Sequence, residues 1–326
     1  MLWRAASCAL AALAPVSGLA LADQPRLALP LSCEIGKTCW VQQYFDHDPS
    51  AGVKDYACGS QSYDGHDGTD FRVRDTSSKV DVIASASGTV MTVRDGMPDR
   101  LTRGAEDEQA IASLECGNGV LIAHGGGWET QYCHLRRGSV LPQVGEAVSQ
   151  GQKLGEAGYS GLAAFPHVHL ALRKDGMAVD PFRSQDEGEA CGAPQYPLWT
   201  DDVLAALPYA RSDIIGQGFA PGAVKLDMLE EGRFRGAPEA EWPAMTAYMW
   251  AINLEPGDTI RVTFEGPEGI FATTDVTLDR AKAQYMLFAG KKRPPGGWPK
   301  GLYRGNLEIT NAGRQRLSQS WQSTIE

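Results

Sequence analysis

The stretch Phe165-Pro166-His167-Val168-His169-Leu170-Ala171-Leu172 decides how the chain is read. Apolar residues flank and separate its two histidines, so a β-strand is the natural assignment, and residues two apart on a strand point to the same face. Two imidazoles therefore project side by side. Neutral imidazole is the commonest metal ligand among side chains and a usual acid–base group near neutral pH. Taken alone, a His-x-His pair is equally two polar residues on a half-exposed strand. The surrounding sequence separates the two readings.

From His66 to about Phe182, short apolar runs alternate with glycine-containing breaks: 69–73, 80–84, 88–93, 120–123, 130–134 and 168–172. Strands this short and close imply a compact, mainly antiparallel β domain. Residues 95–116 interrupt the pattern with a polar segment too long for a hairpin loop, expected to hold a helical turn around 106–114. Long loops in compact domains are often functional, and this one reads equally as a surface excursion tied down by Cys116. Asp180-Pro181-Phe182 closes the domain. Residues 184–197 read as a linker and 204–211 as a short helix.

Farther on, Ile260, Val262 and Phe264 alternate with Thr259, Arg261, Thr263 and Glu265, and Tyr303, Leu307 and Ile309 alternate with Arg304, Glu308 and Thr310. Tyr248, Trp250, Ile252 and Leu254 share a parity as well. A period of two means half-buried strands. Turn signals such as Glu255-Pro256-Gly257-Asp258 separate them. The whole chain is thus expected to be all-β, a compact antiparallel domain followed by an immunoglobulin-like sandwich. The second part holds no histidine and no cysteine, and its aromatic residues read as core rather than as a carbohydrate platform.

With 326 residues the chain has room for two domains at about 150 residues each. Met1 to Arg4 is short and positive, Leu10 to Leu21 is mostly apolar, and Ala20-Leu21-Ala22 has the small-x-small pattern of a cleavage site. This is expected to be a secretory signal peptide cleaved after Ala22, the apolar run being shorter than the roughly 20 residues a membrane span needs. Periplasmic or secreted localisation follows. Without Cys8, six cysteines remain: Cys33, Cys39, Cys58, Cys116, Cys133 and Cys191. An even number in an exported chain favours disulfides, and Cys116 with Cys133, flanking two expected neighbouring strands, is the best pair. The formal charge of −10 argues against nucleic acid or anionic lipid as a partner.

All six histidines lie before residue 170. In Tyr63-Asp64-Gly65-His66-Asp67-Gly68-Thr69-Asp70-Phe71 the glycines permit a tight turn that brings His66 and Asp70 to one point. Gln131-Tyr132-Cys133-His134-Leu135 places another histidine on an expected strand, and Gly155-Glu156-Ala157-Gly158-Tyr159-Ser160-Gly161 precedes the His-Val-His strand. The order H-x-G-x-D, Y-x-H-L, G-x-x-G-x-S-G and P-H-x-H-L resembles the lysostaphin/LytM-type zinc metallopeptidases, which cut peptide cross-bridges of bacterial peptidoglycan. The resemblance covers about His66 to Phe182. It implies that His66, Asp70 and His169 bind Zn2+ and that His134 and His167 are non-ligand catalytic histidines. Two histidines and a carboxylate leave a fourth tetrahedral position open for water. No H-E-x-x-H is present, so the glutamate base of that peptidase class is absent.

His124 reads as a structural strand-end residue, His47 as part of the Asp46-His47-Asp48-Pro49 turn, and Asp64 and Asp67 as solvated loop acids rather than supports of the metal. The expected division is a signal peptide (1–22), a cysteine-rich N-terminal extension (23–65), a LytM-type peptidase domain (66–183), a linker (184–215) and the C-terminal sandwich (216–326). The expected function is an exported zinc endopeptidase acting on peptidoglycan stem peptides, with the D,D bond as target. The competing readings are a zinc-bound but occluded regulator of a cell-wall amidase and a secreted protease acting on proteins.

Overall fold

The computed structural model describes residues 24–184, 192–234 and 236–326. The expected signal peptide and Cys191 lie outside the described residues. The first half contains β1 (Cys39–Gln43), β2 (Thr69–Val73), β3 (Asp81–Ile83), β4 (Gly88–Arg94), β5 (Asn118–Gly125), β6 (Trp128–Leu135), β7 (Ala147–Val148), β8 (Lys153–Glu156), β9 (His167–Lys174) and β10 (Met177–Val179). One antiparallel sheet runs β1-β2-β9-β6-β5-β4-β7, with β10 hairpinned onto β9, while β3 and β8 pair separately.

The centre of this sheet is covered on both faces. Phe71, Val73, Val168, Leu170 and Leu172 turn into the apolar core. The alternate residues Asp70, Arg72, His167 and His169 form the other face, because the register sets Asp70 opposite His169 and Arg72 opposite His167. The next strand adds Cys133 opposite His169.

Within 95–116 a single helical segment, α1 (Ala105–Ala110), forms as expected. The helix expected at 204–211 lies earlier, as α2 (Asp201–Ala206). Pro208 explains the shift: it disfavours helical backbone at Leu207 and has no N–H to continue a helix.

The second half is built from β11 (Asp213–Ala220), α3 (Leu226–Glu230), β12 (Ala244–Leu254), β13 (Thr259–Gly266), β14 (Gly269–Thr277), β15 (Lys282–Lys292), β16 (Gly301–Asn311) and β17 (Arg314–Ile325). Its strands divide into the sheets β11-β12-β15 and β14-β13-β16-β17. These face each other as an immunoglobulin-like sandwich, with the fourth strand beside the third. Ile260, Val262, Phe264, Tyr303, Leu307 and Ile309 fill its core as the alternation predicts.

β12 departs from its expected single stripe, being buried on both faces. Met245, Ala247, Met249 and Ala251 enter the sandwich core. Tyr248, Trp250 and Ile252 instead join Trp40 of β1 in a separate cluster that fastens the halves together. Asn253, at a left-handed φ of 56°, shifts the phase and returns Leu254 to the sandwich core.

Disulfides join Cys33 to Cys39 and Cys116 to Cys133, the second being the pair the sequence favours. Cys58 is disulfide-bonded too. Among the described residues no helix is long and apolar enough to cross a membrane.

Candidate active site

The turn before β2 delivers His66, and the β2–β9 pairing delivers Asp70 and His169. Gly68 makes this approach possible: a Cβ there would sit 2.6 Å from the His169 ring and from the Leu170 carbonyl oxygen. Asp46 braces the turn, its carboxylate accepting the Gly65 N–H at 3.0 Å. His66 Nε2 lies 3.2 Å from Asp70 Oδ1 and 3.1 Å from His169 Nδ1, and His169 Nδ1 lies 2.9 Å from Asp70 Oδ1. All three residues are buried. Among the described residues this is a group of three that could hold a metal ion.

The donor chemistry fits a small divalent cation. The outer nitrogen of each histidine has its own acceptor: His66 Nδ1 donates to the Tyr44 carbonyl oxygen at 2.6 Å, and His169 Nε2 faces Asp67 Oδ1 at 3.3 Å. With those protons outside, three lone pairs face one point. Such a point is stable only with positive charge at it. Burial alone would lower the pKa of His169, but Asp67 and Asp70 outweigh it and raise it to about 9. Asp67 is pulled down to about 2, first by its hydrogen bond with His169. The separations also suit zinc, since tetrahedral ligands at about 2.0 Å from a metal are roughly 3.3 Å apart.

Two further imidazoles border this point. His134 ends the β6 approach with a left-handed φ of 64°, a conformation histidine tolerates better than most residues. Its N–H donates to the Cys116 carbonyl oxygen at 2.8 Å, and its Nδ1 to that of Ser160 at 2.8 Å. His167 Nδ1 donates to the Phe165 carbonyl oxygen at 2.8 Å, leaving Nε2 3.7 Å from Asp70 Oδ1. The His134 and His167 rings are 4.5 Å apart. Burial, then His167 and His169, holds the His134 pKa well below its ordinary value, and burial lowers His167 as well. Both are therefore neutral near pH 7, with an unprotonated Nε2 that can take up a proton.

All five residues singled out in the sequence thus lie together. His124 lies apart, bonded to the Ser87 carbonyl oxygen and Thr130 Oγ1, and His47 pairs with Asp180. Asp67 is the correction: it is the acceptor behind His169 and also receives Arg173 at 3.1 Å, so it is no free loop acid. Tyr44 and Ser160 support the site through their carbonyl oxygens, which side-chain type does not reveal. For Ser160 a signal exists in the quoted motif. Its hydroxyl bridges the Asn118 N–H at 2.9 Å and the Leu135 carbonyl oxygen at 2.8 Å, fixing the segment that holds His134. The 95–116 segment lies against this side, with Thr102 N–H on the Ala163 carbonyl oxygen at 2.8 Å. A cavity of about 680 Å³ lies elsewhere, between the halves beside Trp40, Tyr248 and Trp321.

Residues 64–181 match the profile of Peptidase family M23. They form an M23 peptidase domain. The resemblance read from the motifs is to lysostaphin/LytM-type peptidases, and the comparisons agree with it. The chain is 30% identical over 127 residues to an uncharacterized metalloprotease of Haemophilus influenzae, covering 39% of this chain and 22% of that one. It is 37% identical over 68 residues to the peptidoglycan DD-endopeptidase ShyA of Vibrio cholerae, covering 21% of this chain and 15% of the other. The catalytic domain of lysostaphin from Staphylococcus simulans aligns over 43% of this chain and 85% of its own, at 20% identity and a TM-score of 0.28. The chain spans less than a quarter of the length of these two curated relatives.

Proposed function

We propose that the protein is an exported zinc metalloendopeptidase that hydrolyses peptide cross-links of peptidoglycan, with the D,D bond as its target. One observation carries this reading: donor atoms of His66, Asp70 and His169 converge to within 2.9–3.2 Å of one another, with the outer nitrogens engaged elsewhere. The names of the relatives, a metalloprotease and a DD-endopeptidase, support the reaction and the substrate class. Two disulfides support an oxidising compartment, periplasmic or extracellular, with residues 1–22 as the export signal. The division into extension, peptidase domain (66–183), linker and sandwich (216–326) belongs to the same proposal.

In this reading His66, Asp70 and His169 hold Zn2+. Zinc held there supplies Lewis acidity at the scissile carbonyl and lowers the pKa of a bound water towards about 7. The chain's own groups do the remainder. Asp67 and the Tyr44 carbonyl fix the ligand tautomers. His134 and His167 present Nε2 atoms that accept a proton during attack, return one to the leaving amine, and donate to the developing oxyanion once protonated. Peptidoglycan stem peptides are the partner, and nucleic acid is not.

The test is to incubate the zinc-loaded protein with purified sacculi and analyse the muropeptides by mass spectrometry. Conversion of cross-linked dimers to monomers by the wild type, lost in His169→Ala, is expected. Undiminished cleavage by that variant defeats the zinc reading. A wild type with full zinc and no cleavage points to the occluded regulator of an amidase. Cleavage of casein but not of sacculi points to a secreted protease.

A further inference from the structure

Arg72 follows Asp70 by two residues on β2 and sits opposite His167. It is fully buried, and among the described residues no carboxylate oxygen lies within ion-pair distance of it; Glu230 and Asp75 act on its charge only from farther off. Nη1 donates to Gln42 Oε1 at 2.8 Å, while Nε and Nη2 find no acceptor there. A buried guanidinium needs other support. Two rings provide it: the guanidinium carbon lies 4.9 Å from the Phe165 ring centroid and 4.8 Å from that of Trp250, both within cation–π range.

Phe165 is also the neighbour of His167. Its ring lies 4.5 Å from the imidazole at 33°, and its carbonyl oxygen accepts the Nδ1 proton. Indole, guanidinium, phenyl and imidazole therefore touch in series, and the series begins in the C-terminal sandwich. The same half steadies Gln42: Asn253 Nδ2 donates to its carbonyl oxygen at 2.9 Å, and its side chain reaches the Ala283 carbonyl oxygen at 3.4 Å.

We propose that Trp250 is a positioning residue for His167, acting through Arg72 and Phe165, so that the sandwich holds one side of the catalytic site in place. This rests on the endopeptidase reading and assigns the second half a role in it. The metal ligands are outside the series. Loss of Trp250 therefore lowers turnover without emptying the metal site.

The test uses the full chain as Trp250→Leu, which keeps apolar bulk but no ring, and Trp250→Phe, which restores a ring. Trp250→Leu is expected to lose at least about 10-fold in kcat on muropeptide dimers with KM little changed and zinc still stoichiometric, since misplacement on the order of 1 Å has effects of that order or larger. Trp250→Phe is expected to recover most of the loss. A second readout is independent of cleavage: the His167 ring N–H resonance, assigned by its disappearance in His167→Gln. It is expected in the wild type and Trp250→Phe, and broadened or lost in Trp250→Leu. Wild-type kcat and an unchanged ring signal in Trp250→Leu overturn the proposal. Should Trp250→Leu fail to fold, Arg72→Lys reads the same link, because an ammonium keeps the charge but not the planar stacking. A wild type without cleavage defeats the endopeptidase reading instead, and the ring signal then decides this inference by itself.

Discussion

β2 and β13 are both short strands inside antiparallel sheets, and they bury different things. In β13, Ile260, Val262 and Phe264 are fully buried, Arg261 is exposed, and Thr263 and Glu265 lie between. In β2 all five residues are buried, Asp70 and Arg72 among them. Apolar burial stabilises the sandwich strand by roughly 1.5–3 kcal/mol for each large side chain. Burying a carboxylate or a guanidinium costs several kcal/mol unless partners are supplied. The sandwich therefore reads as a body folded around its core. The first sheet carries buried charge only because imidazoles, rings and amides have been brought to meet it. Function sits where burial is expensive.

The sharpest way to break this comparison is to remove one group from each half and read both zinc and stability. His134→Asn keeps a residue that tolerates left-handed backbone and deletes the imidazole. It is expected to lower kcat by about 10²–10⁴-fold, with zinc content by plasma mass spectrometry unchanged. Lost zinc would place His134 among the ligands. Phe264→Ala, in contact with the Phe219, Phe271 and Tyr303 rings, is expected to cost about 3–5 kcal/mol in urea unfolding. Its zinc affinity should match the wild type once folded. An equal fall in zinc affinity would mean that the two halves do not differ in the way described.

Asp67→Asn sharpens the first side of the comparison. It keeps the size of the side chain behind His169 and removes its charge. Zinc affinity in a competitive chelator titration is expected to fall about 10–100-fold. No change would show that His169 does not need the negative charge of Asp67 behind it.

The smallest effect concerns Asp213, at the start of the sandwich, which burial raises to about 6. The folded state then holds a proton that the unfolded state has released, so stability falls as pH rises from about 4 through 6. Asp213→Asn removes this loss. It is expected to exceed the wild type at neutral pH by on the order of 1 kcal/mol, after discounting for partial exposure, with the gain shrinking towards pH 4. Parallel urea curves at both pH values check it. A pH-independent difference would contradict it.

The sequence showed the core of β13 because only one of its faces is apolar. It misled at β12, where Tyr248, Trp250 and Ile252 follow the same parity rule but face the other half. Ala244–Leu254 is apolar on both parities, and nothing local says which face meets which partner. The site was legible for a different reason. His66, Asp70, His134, His167 and His169 are chemically distinctive types held by glycine-dependent turns and two-residue strand spacing. Tyr44 and Ser160 were not, because a carbonyl oxygen is the same in every residue. Arg72 is not legible locally either, since its meaning depends on Trp250, far away in sequence.

The most direct test of the convergence of His66, Asp70 and His169 is zinc K-edge X-ray absorption on the purified, metal-quantified protein. One zinc per chain is predicted, with two imidazole nitrogens and carboxylate and water oxygens at about 2.0–2.2 Å. Absence of stoichiometric zinc, a shell without imidazole, or an unchanged spectrum in His169→Ala would contradict it.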